Sequence, residues 1–213
     1  MGLDYPPLVS VSAPTSYKKF SARLFARGEM VCPRCRAPFS EPPEACPNCD
    51  YDFAAGVESF PFAPPALELF MNPAGLLPDD VAVPVRERYD AFRSRFPGIS
   101  LSFCFIQLAP GTPLSEFAFW LFNSAPGAGD DRAWQLLLTV DLGAGRMSLN
   151  SGYALEPFID PAQWTDPLNT CAAACSQADW TRALTGFIGD ADRLLATAWK
   201  AAADKQKETG NSS

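Results

Sequence analysis

Apolar side chains recur at helical spacing in three segments of the chain. Residues 81–96 place Val81, Val85, Tyr89, Phe92 and Phe96 on one face before Pro97-Gly98. Residues 114–122 are apolar on nearly every face, so this helix should be deeply covered. A third pattern runs to Trp199, and its start is placed at Ser176, because Ser176 and Asp179 resemble a capping box. These patterns predict three helices.

Strand-like segments lie between the first two helices and after the second. Residues 99–108 become almost wholly apolar, as in a strand buried on both faces. Residues 134–140 and 146–150 flank the turn Gly143-Ala-Gly145, which predicts a hairpin. Helices that alternate with strands, one pair of which is a hairpin, predict an α/β fold. We expect a mixed sheet covered by helices on both faces, in three layers.

The beginning of the chain carries a weaker pattern. Residues 1–14 are rich in Pro and Ser, which predicts irregular structure. Residues 16–27 pair Phe20 and Leu24 with basic neighbours, which favours a short basic amphipathic helix within residues 1–29. Such a helix lies on a membrane surface or packs against the adjacent segment, and we favour packing.

Four of the seven cysteines form one pattern, Cys32-Pro-Arg-Cys35 and Cys46-Pro-Asn-Cys49, separated by ten residues. Two such turns can bring four thiolates to one tetrahedral Zn²⁺. The sequence therefore predicts a small N-terminal zinc ribbon over residues 30–53. Protein would fill all four positions, so the metal would be structural. Disulfides or two redox motifs are the alternatives, and we disfavour them for a chain expected in the cytoplasm.

The other three cysteines have no such spacing. Cys104 lies within an apolar run and is expected in the core. Cys171 and Cys175 are four residues apart and would share one helix face. They form either a redox pair or small core contacts, and we favour core contacts.

Proline content and polarity divide the rest of the chain. Residues 54–78 contain five prolines, which predicts an irregular linker after the ribbon. Residues 79–205 hold the predicted α/β domain, and residues 206–213 form a polar tail.

Composition excludes several kinds of function. The chain of 213 residues has no histidine, which excludes imidazole-based nucleophile pairs and imidazole-ligated catalytic zinc. Its net charge is −7, but residues 17–36 carry +5 and residues 37–213 carry −11. Only the amino-terminal part could attract nucleic acid, so we consider that partner unfavoured. Neither an apolar run long enough for a transmembrane segment nor a secretory start is evident, and we expect a cytoplasmic protein.

Several short motifs in the predicted α/β domain resemble the TPM domain, whose members include thylakoid acid-phosphatase-like and photosystem-repair proteins. They are Asn72-Pro-Ala-Gly-Leu-Leu77, Ser115-Glu-Phe-Ala118, Leu136-Leu-Leu138 and Gly152-Tyr-Ala-Leu-Glu-Pro-Phe-Ile-Asp160. The last is the most specific, since it is similar to the family's Gly-Tyr-Gly-Leu-Glu signature followed by an Asp. The resemblance covers residues 70–205 and implies the same three-layer fold.

For some members the resemblance also implies phosphatase activity or Ca²⁺ binding through aspartates at one edge of the sheet. This chain departs from the family there, with Asp131-Arg-Ala-Trp134 and Asp141-Leu-Gly-Ala-Gly-Arg146. The candidate catalytic residues are Asp141, Asp131 and Asp160, with Ca²⁺ or Mg²⁺ as the cation. Their ordinary alternatives are a strand end, a loop residue and a helix cap.

Our first functional hypothesis is a cytoplasmic zinc-ribbon protein whose degenerate TPM-like domain acts as a protein-binding or scaffold module. The protein partner is unknown, and the ribbon residues Arg34, Arg36 and Pro47, which we expect at the surface, are the candidate contacts. The alternative is a metal-dependent phosphatase that uses the aspartates. A second alternative is weak nucleic-acid binding through the basic amino-terminal segment. On balance we do not expect an enzyme.

Overall fold

A mixed β-sheet with helices on both faces forms the body of the protein. The computed structural model describes residues 21–24, 30–41, 43–127 and 130–210. The strands are β1 (Ser21–Leu24), β2 (Met30–Val31), β3 (Pro38–Phe39), β4 (Phe70–Met71), β5 (Ser100–Ile106), β6 (Gln135–Asp141) and β7 (Arg146–Ser151). The α-helices are α1 (Phe53–Ser59), α2 (Ala82–Arg95), α3 (Leu114–Ser124), α4 (Thr165–Ser176) and α5 (Trp180–Gly210).

Five strands make up the main sheet, in the order β1-β7-β6-β5-β4. The β6–β7 pair is antiparallel, and the other three pairs are parallel. Strands β2 and β3 form a separate antiparallel pair within the ribbon. The expected α/β class, mixed sheet and hairpin are confirmed.

Both faces of the central strands β5 and β6 are buried, which explains their nearly continuous apolar sequence. Alternate residues point to opposite faces of the sheet. Phe103 and Leu138 lie on the face covered by α2, α4 and α5. Cys104 and Leu137 lie on the face covered by α3 and the segment around Phe60. The three layers of the fold follow from this alternation.

The carboxyl-terminal helices differ from the prediction at their boundary. Ser176 ends α4 instead of beginning the last helix. Asp179 caps α5, since its Oδ1 atom accepts a hydrogen bond from the Arg182 backbone N–H at 3.2 Å. Helix α5 also continues through residues 206–210 of the predicted polar tail, where helix-forming residues allow it to extend. No helix in the described parts of the chain is both long and apolar enough to cross a membrane.

The amino-terminal prediction was wrong at residues 21–24, which form β1 and not a helix. Strand β1 pairs in parallel with β7, so that Ser21 lies opposite Arg146 and Leu24 opposite Leu149. Pairing with the backbone of β7 outweighs a helical pattern that rested on two apolar side chains. The remainder of the predicted irregular segment and helix lies outside the described residues.

The predicted linker at residues 54–78 was also wrong, because it contains most of α1 and all of β4. Asp52 caps α1 by accepting the Ala55 backbone N–H at 2.6 Å. Strand β4 pairs in parallel with β5, with Phe70 opposite Phe103. The prolines of this segment are compatible with short elements, and its buried Phe60 packs against Phe117 and Trp120 of α3.

Gly152 lies where no side chain fits. A Cβ atom at this position would collide with the carbonyl oxygens of Arg132 and Ala133, which are backbone atoms and cannot rotate away. We expect Gly152→Ala to lower the free energy of unfolding by about 1–3 kcal/mol, as measured by urea denaturation. Gly186 is the matched control, because it is exposed on α5 with no atom near the added carbon.

Gly186→Ala should instead raise stability by about 0.5–1 kcal/mol through helix propensity. Equal effects of the two substitutions would contradict this account of the turn after β7.

Candidate metal centre

The two Cys-Pro-X-Cys segments fold into turns with the same backbone geometry. In the first, Cys32 N donates to Ala37 O at 2.9 Å, and the N–H of residue 36 donates to Cys32 O at 2.9 Å. In the second, Cys46 N donates to Tyr51 O at 2.8 Å, and the N–H of residue 50 donates to Cys46 O at 2.8 Å. Residues 36 and 50 both have positive φ angles, of 66° and 55°. The two turns therefore present their cysteine pairs with the same backbone geometry.

The four sulfur atoms converge on one point. The Sγ atoms of Cys32, Cys35, Cys46 and Cys49 all lie within 4.8 Å of one another. Cys32 and Cys49 are 3.7 Å apart, and Cys35 and Cys46 are 3.6 Å apart. Ligands about 2.3 Å from a tetrahedral metal would be about 3.8 Å apart, whereas a disulfide would be about 2.05 Å long. The arrangement is consistent with a structural metal site.

The thiols of Cys32, Cys35 and Cys49 differ in how readily they ionise. Hydrogen bonds, first from the Asn48 side chain and then from the Ala37 backbone, lower the pKa of Cys35 to about 6. Burial raises the pKa of Cys49 to about 12 and also raises that of Cys32. A cation at the centre would favour the thiolate form of both groups.

The first turn docks on the start of α3 through an ion pair whose carboxylate is buried. Glu116 is only 3% exposed, and both of its carboxylate oxygens accept hydrogen bonds from Arg34. The Arg34 Nε atom is 2.9 Å from Oε2, and Nη2 is 2.7 Å from Oε1. Beside this pair, the Ser115 hydroxyl donates to the Pro33 carbonyl at 2.6 Å. The ribbon is thus fixed to the α/β domain.

Arg34 is further held by two neighbours. Its guanidinium carbon lies 4.7 Å from the centre of the Tyr51 ring, and Nη2 donates to Ser59 Oγ at 3.1 Å. Of the three surface residues predicted for the ribbon, Arg36 and Pro47 are exposed, whereas Arg34 faces its own α/β domain. The expectation that Arg34 contacts a partner is therefore replaced by an internal role.

The docking residues on α3 were not predicted. Ser115 and Glu116 occur in one of the motifs that resemble the TPM domain, and the sequence around them carries a signal for a buried contact. Glu116 is the single charged residue in the apolar helix Leu114–Ser124. A carboxylate on a helix that is buried on nearly all sides requires a cationic or hydrogen-bonding partner.

The predicted aspartate site is not assembled as expected. Asp141 ends β6, whereas Asp131 lies in the 3-10 turn Asp130–Trp134 before β6. The two ends of this seven-residue strand are about 20 Å apart. Asp160 lies in the loop after β7, which runs antiparallel to β6. In this loop the centre of the Phe158 ring is 6.0 Å from the centre of the Trp134 ring. The loop therefore lies at the end of β6 where Asp131 is, opposite to Asp141. The structure does not bring Asp141 together with the other two.

Local contacts account for two of these aspartates. Asp141 is 1% exposed, and its Oδ2 atom is 2.9 Å from Nη2 of Arg146. Asp160 caps the 3-10 turn Pro161–Trp164 by accepting the Ala162 N–H at 2.8 Å. Among residues whose side chains the structure describes, the four cysteines are the one group of three or more potential metal ligands. The catalytic roles and the Ca²⁺ or Mg²⁺ site stay predictions.

The remaining cysteines are buried and form no disulfide. Cys104 is 4% exposed, and burial raises the pKa of its thiol to about 12. Cys171 and Cys175 lie on the buried face of α4, and the neighbouring Cys175 thiol, together with burial, raises the pKa of Cys171. Their positions are those expected of core contacts.

Comparison with known proteins shows a likeness in fold. No family model matches the chain, and no curated protein matches it. A solved structure, the solution NMR structure of the N-terminal domain of a protein from P. gingivalis, is similar with a TM-score of 0.50 and 17% identity. The match covers 67% of this chain and 88% of that chain. At this identity it shows the fold alone, and the TPM resemblance stays a prediction.

The ion pair between Arg34 and Glu116 should contribute to the stability of the protein. Arg34→Met should lower the free energy of unfolding by about 2–4 kcal/mol, because it leaves the buried Glu116 carboxylate without its partner. The measurement is urea denaturation of the metal-loaded protein. Arg36→Met is the matched control, since Arg36 lies in the same turn with an exposed side chain, and it should change stability by less than about 0.5 kcal/mol. Similar losses in both variants would refute the docking role.

Proposed function

We propose that the four cysteines bind one structural Zn²⁺ and that the chain functions as a metal-stabilised protein-binding or scaffold module. The observation that carries the metal assignment is the convergence of four sulfurs at the separations of a tetrahedral site. Four thiolates favour zinc, and they leave no open position for water or substrate. The ion would therefore hold the ribbon together and take no part in a reaction. Iron is the other metal that suits four thiolates, and elemental analysis separates the two.

The zinc proposal predicts the metal content of the purified protein. Protein prepared under reducing conditions should contain about one zinc atom per chain by elemental analysis. Cys46→Ser should reduce the zinc content to background, because Cys46 is one of the four converging ligands. Cys104→Ala removes a thiol from the sheet instead and should retain the metal.

Thiol titration provides an independent readout of the same site. We expect none of the seven thiols to react rapidly in the folded, loaded protein. Four should become reactive when a chelator removes the metal, and the three core thiols should react only after unfolding. Rapid reaction of all four ribbon thiols before chelation would count against a bound metal.

The binding role is supported by apolar side chains exposed beside the ribbon. Helix α1 presents Phe53 and Val57 on successive turns, at 47% and 44% exposure. Phe62 is 49% exposed, and its ring packs edge-on against Trp120 with the ring centres 4.9 Å apart. Grouped exposed apolar residues are typical of protein contact sites. We propose the reducing cytoplasm as the compartment, because a site of four metal-bound thiolates requires reduced cysteines.

Site-specific photo-crosslinking tests the binding role. A photoreactive amino acid placed at Val57 should give a discrete adduct with a cellular protein, and the same residue at Val83 should not. Val83 is a matched control because it is also apolar and exposed, at 62%, but lies on α2 across the sheet. Adduct patterns that are identical at the two positions, or absent from both, would contradict this surface as the contact.

The phosphatase and nucleic-acid hypotheses are not supported by specific contacts. Asp141 is paired with Arg146, and Arg34 of the basic segment is paired with Glu116. Lys18, Lys19 and Arg27 lie outside the described residues. Both hypotheses therefore stay predictions from the sequence.

A further inference from the structure

One short segment of the ribbon serves both the metal centre and the contact with the α/β domain. Arg34 lies between the ligands Cys32 and Cys35, so its backbone belongs to the turn that presents two of the four sulfurs. The carbonyl of Pro33 in the same turn accepts the Ser115 hydroxyl at 2.6 Å. Any shift of this turn would move two sulfurs and the docking groups together.

The α3 side of the contact is rigid. Glu116 lies in the first turn of a helix whose buried residues Phe117 and Trp120 belong to the same core cluster as Phe60 and the sheet residue Leu137. Its two oxygens fix both the position and the orientation of the planar guanidinium, because a bidentate pair restricts rotation as well as distance. The Tyr51 ring contacts the same guanidinium, and Tyr51 follows the second turn, which contains Cys46 and Cys49. The ion pair is therefore connected to both halves of the metal site.

We propose that Glu116 is a positioning residue for the metal centre: through Arg34 it holds the first turn in the metal-binding conformation and thereby tightens metal binding. This inference rests on the proposed zinc site. A preorganised turn loses less conformational freedom when the metal binds than a free one does. Metal binding and docking of the ribbon on the α/β domain are linked thermodynamically. Bound metal must therefore strengthen the docking by the same factor by which docking strengthens metal binding.

A positioning role and a purely electrostatic role of Glu116 predict opposite effects of Glu116→Gln on metal affinity. At neutral pH free thiols are mostly protonated, and metal binding releases their protons, so the centre becomes more negative and reaches a net charge of about −2 with four thiolates around a divalent ion. Glu116→Gln removes a negative charge near that centre. A purely electrostatic influence would therefore make metal binding tighter. Loss of positioning would make it weaker, by about tenfold or more, as for other groups that orient metal ligands from outside the coordination sphere.

The experiment measures metal affinity of the full chain by competition with a chelator, using Co²⁺ and Zn²⁺. In Glu116→Gln we expect an affinity at least about tenfold weaker, with the Co²⁺ absorption spectrum of a tetrahedral thiolate site unchanged. The matched control is Glu87→Gln, an exposed carboxylate on α2, which should leave the affinity unchanged. Far-UV circular dichroism shows that each variant is folded.

The Glu116→Gln substitution made in an Arg34→Met variant tests whether Glu116 acts through Arg34. In Arg34→Met protein the additional Glu116→Gln substitution should have no further effect on affinity, since the contact is already absent. If Glu116→Gln does not fold, Ser115→Ala removes the neighbouring hydrogen bond to Pro33 without a change of charge, and it should also weaken binding.

The outcomes separate the two proposals. If the wild-type chain binds neither metal with a thiolate spectrum, the zinc proposal fails, and this inference fails with it. If the wild-type binds but Glu116→Gln and Ser115→Ala bind as tightly or more tightly, the positioning role alone is overturned. An equal loss from Glu116→Gln in the Arg34→Met background would also overturn it.

Discussion

The buried carboxylate of Glu116 is the constraint that ties the two parts of this protein together. An ionised carboxylate in an apolar layer is unfavourable unless a cation and hydrogen bonds satisfy it. The α/β domain does not itself supply that cation, since the partner is Arg34 of the ribbon, 82 residues earlier in the chain. Helix α3 can therefore cover its face of the sheet without an unsatisfied charge only when the ribbon is in place. The ribbon and the sheet form one structural unit.

The centre of the sheet was predictable from the sequence, and its edges were not. Strands β5 and β6 are buried on both faces, so apolar side chains dominate them, and the Gly-rich turn identifies the hairpin to β7. The edge strands β1 and β4 have four and two residues, too few to show a period. Their strand conformation comes from pairing with β7 and β5, which are distant in the sequence.

The same distinction applies to the functional residues. The four cysteines were predictable because each pair is local and its spacing reflects the geometry of one turn. Ser115 and Glu116 are each 82 residues from their ribbon partners Pro33 and Arg34, and no local pattern encodes that contact. The aspartates show the converse, since Asp131 and Asp141 are close in sequence, but Asp131 precedes the extended strand β6 and Asp141 is its last residue.

The position of the ribbon in the chain has a consequence for how the protein can be divided. Strand β1 forms one edge of the main sheet and β4 forms the other, and the ribbon lies between them in sequence. An amino-terminal truncation that removes the ribbon would therefore also remove β1. The backbone groups of β7 that pair with β1 would then be open to a strand from another molecule. A fragment that contains the α/β domain without the ribbon and β1 would favour intermolecular association. A useful fragment must include both edge strands of the sheet, β1 and β4.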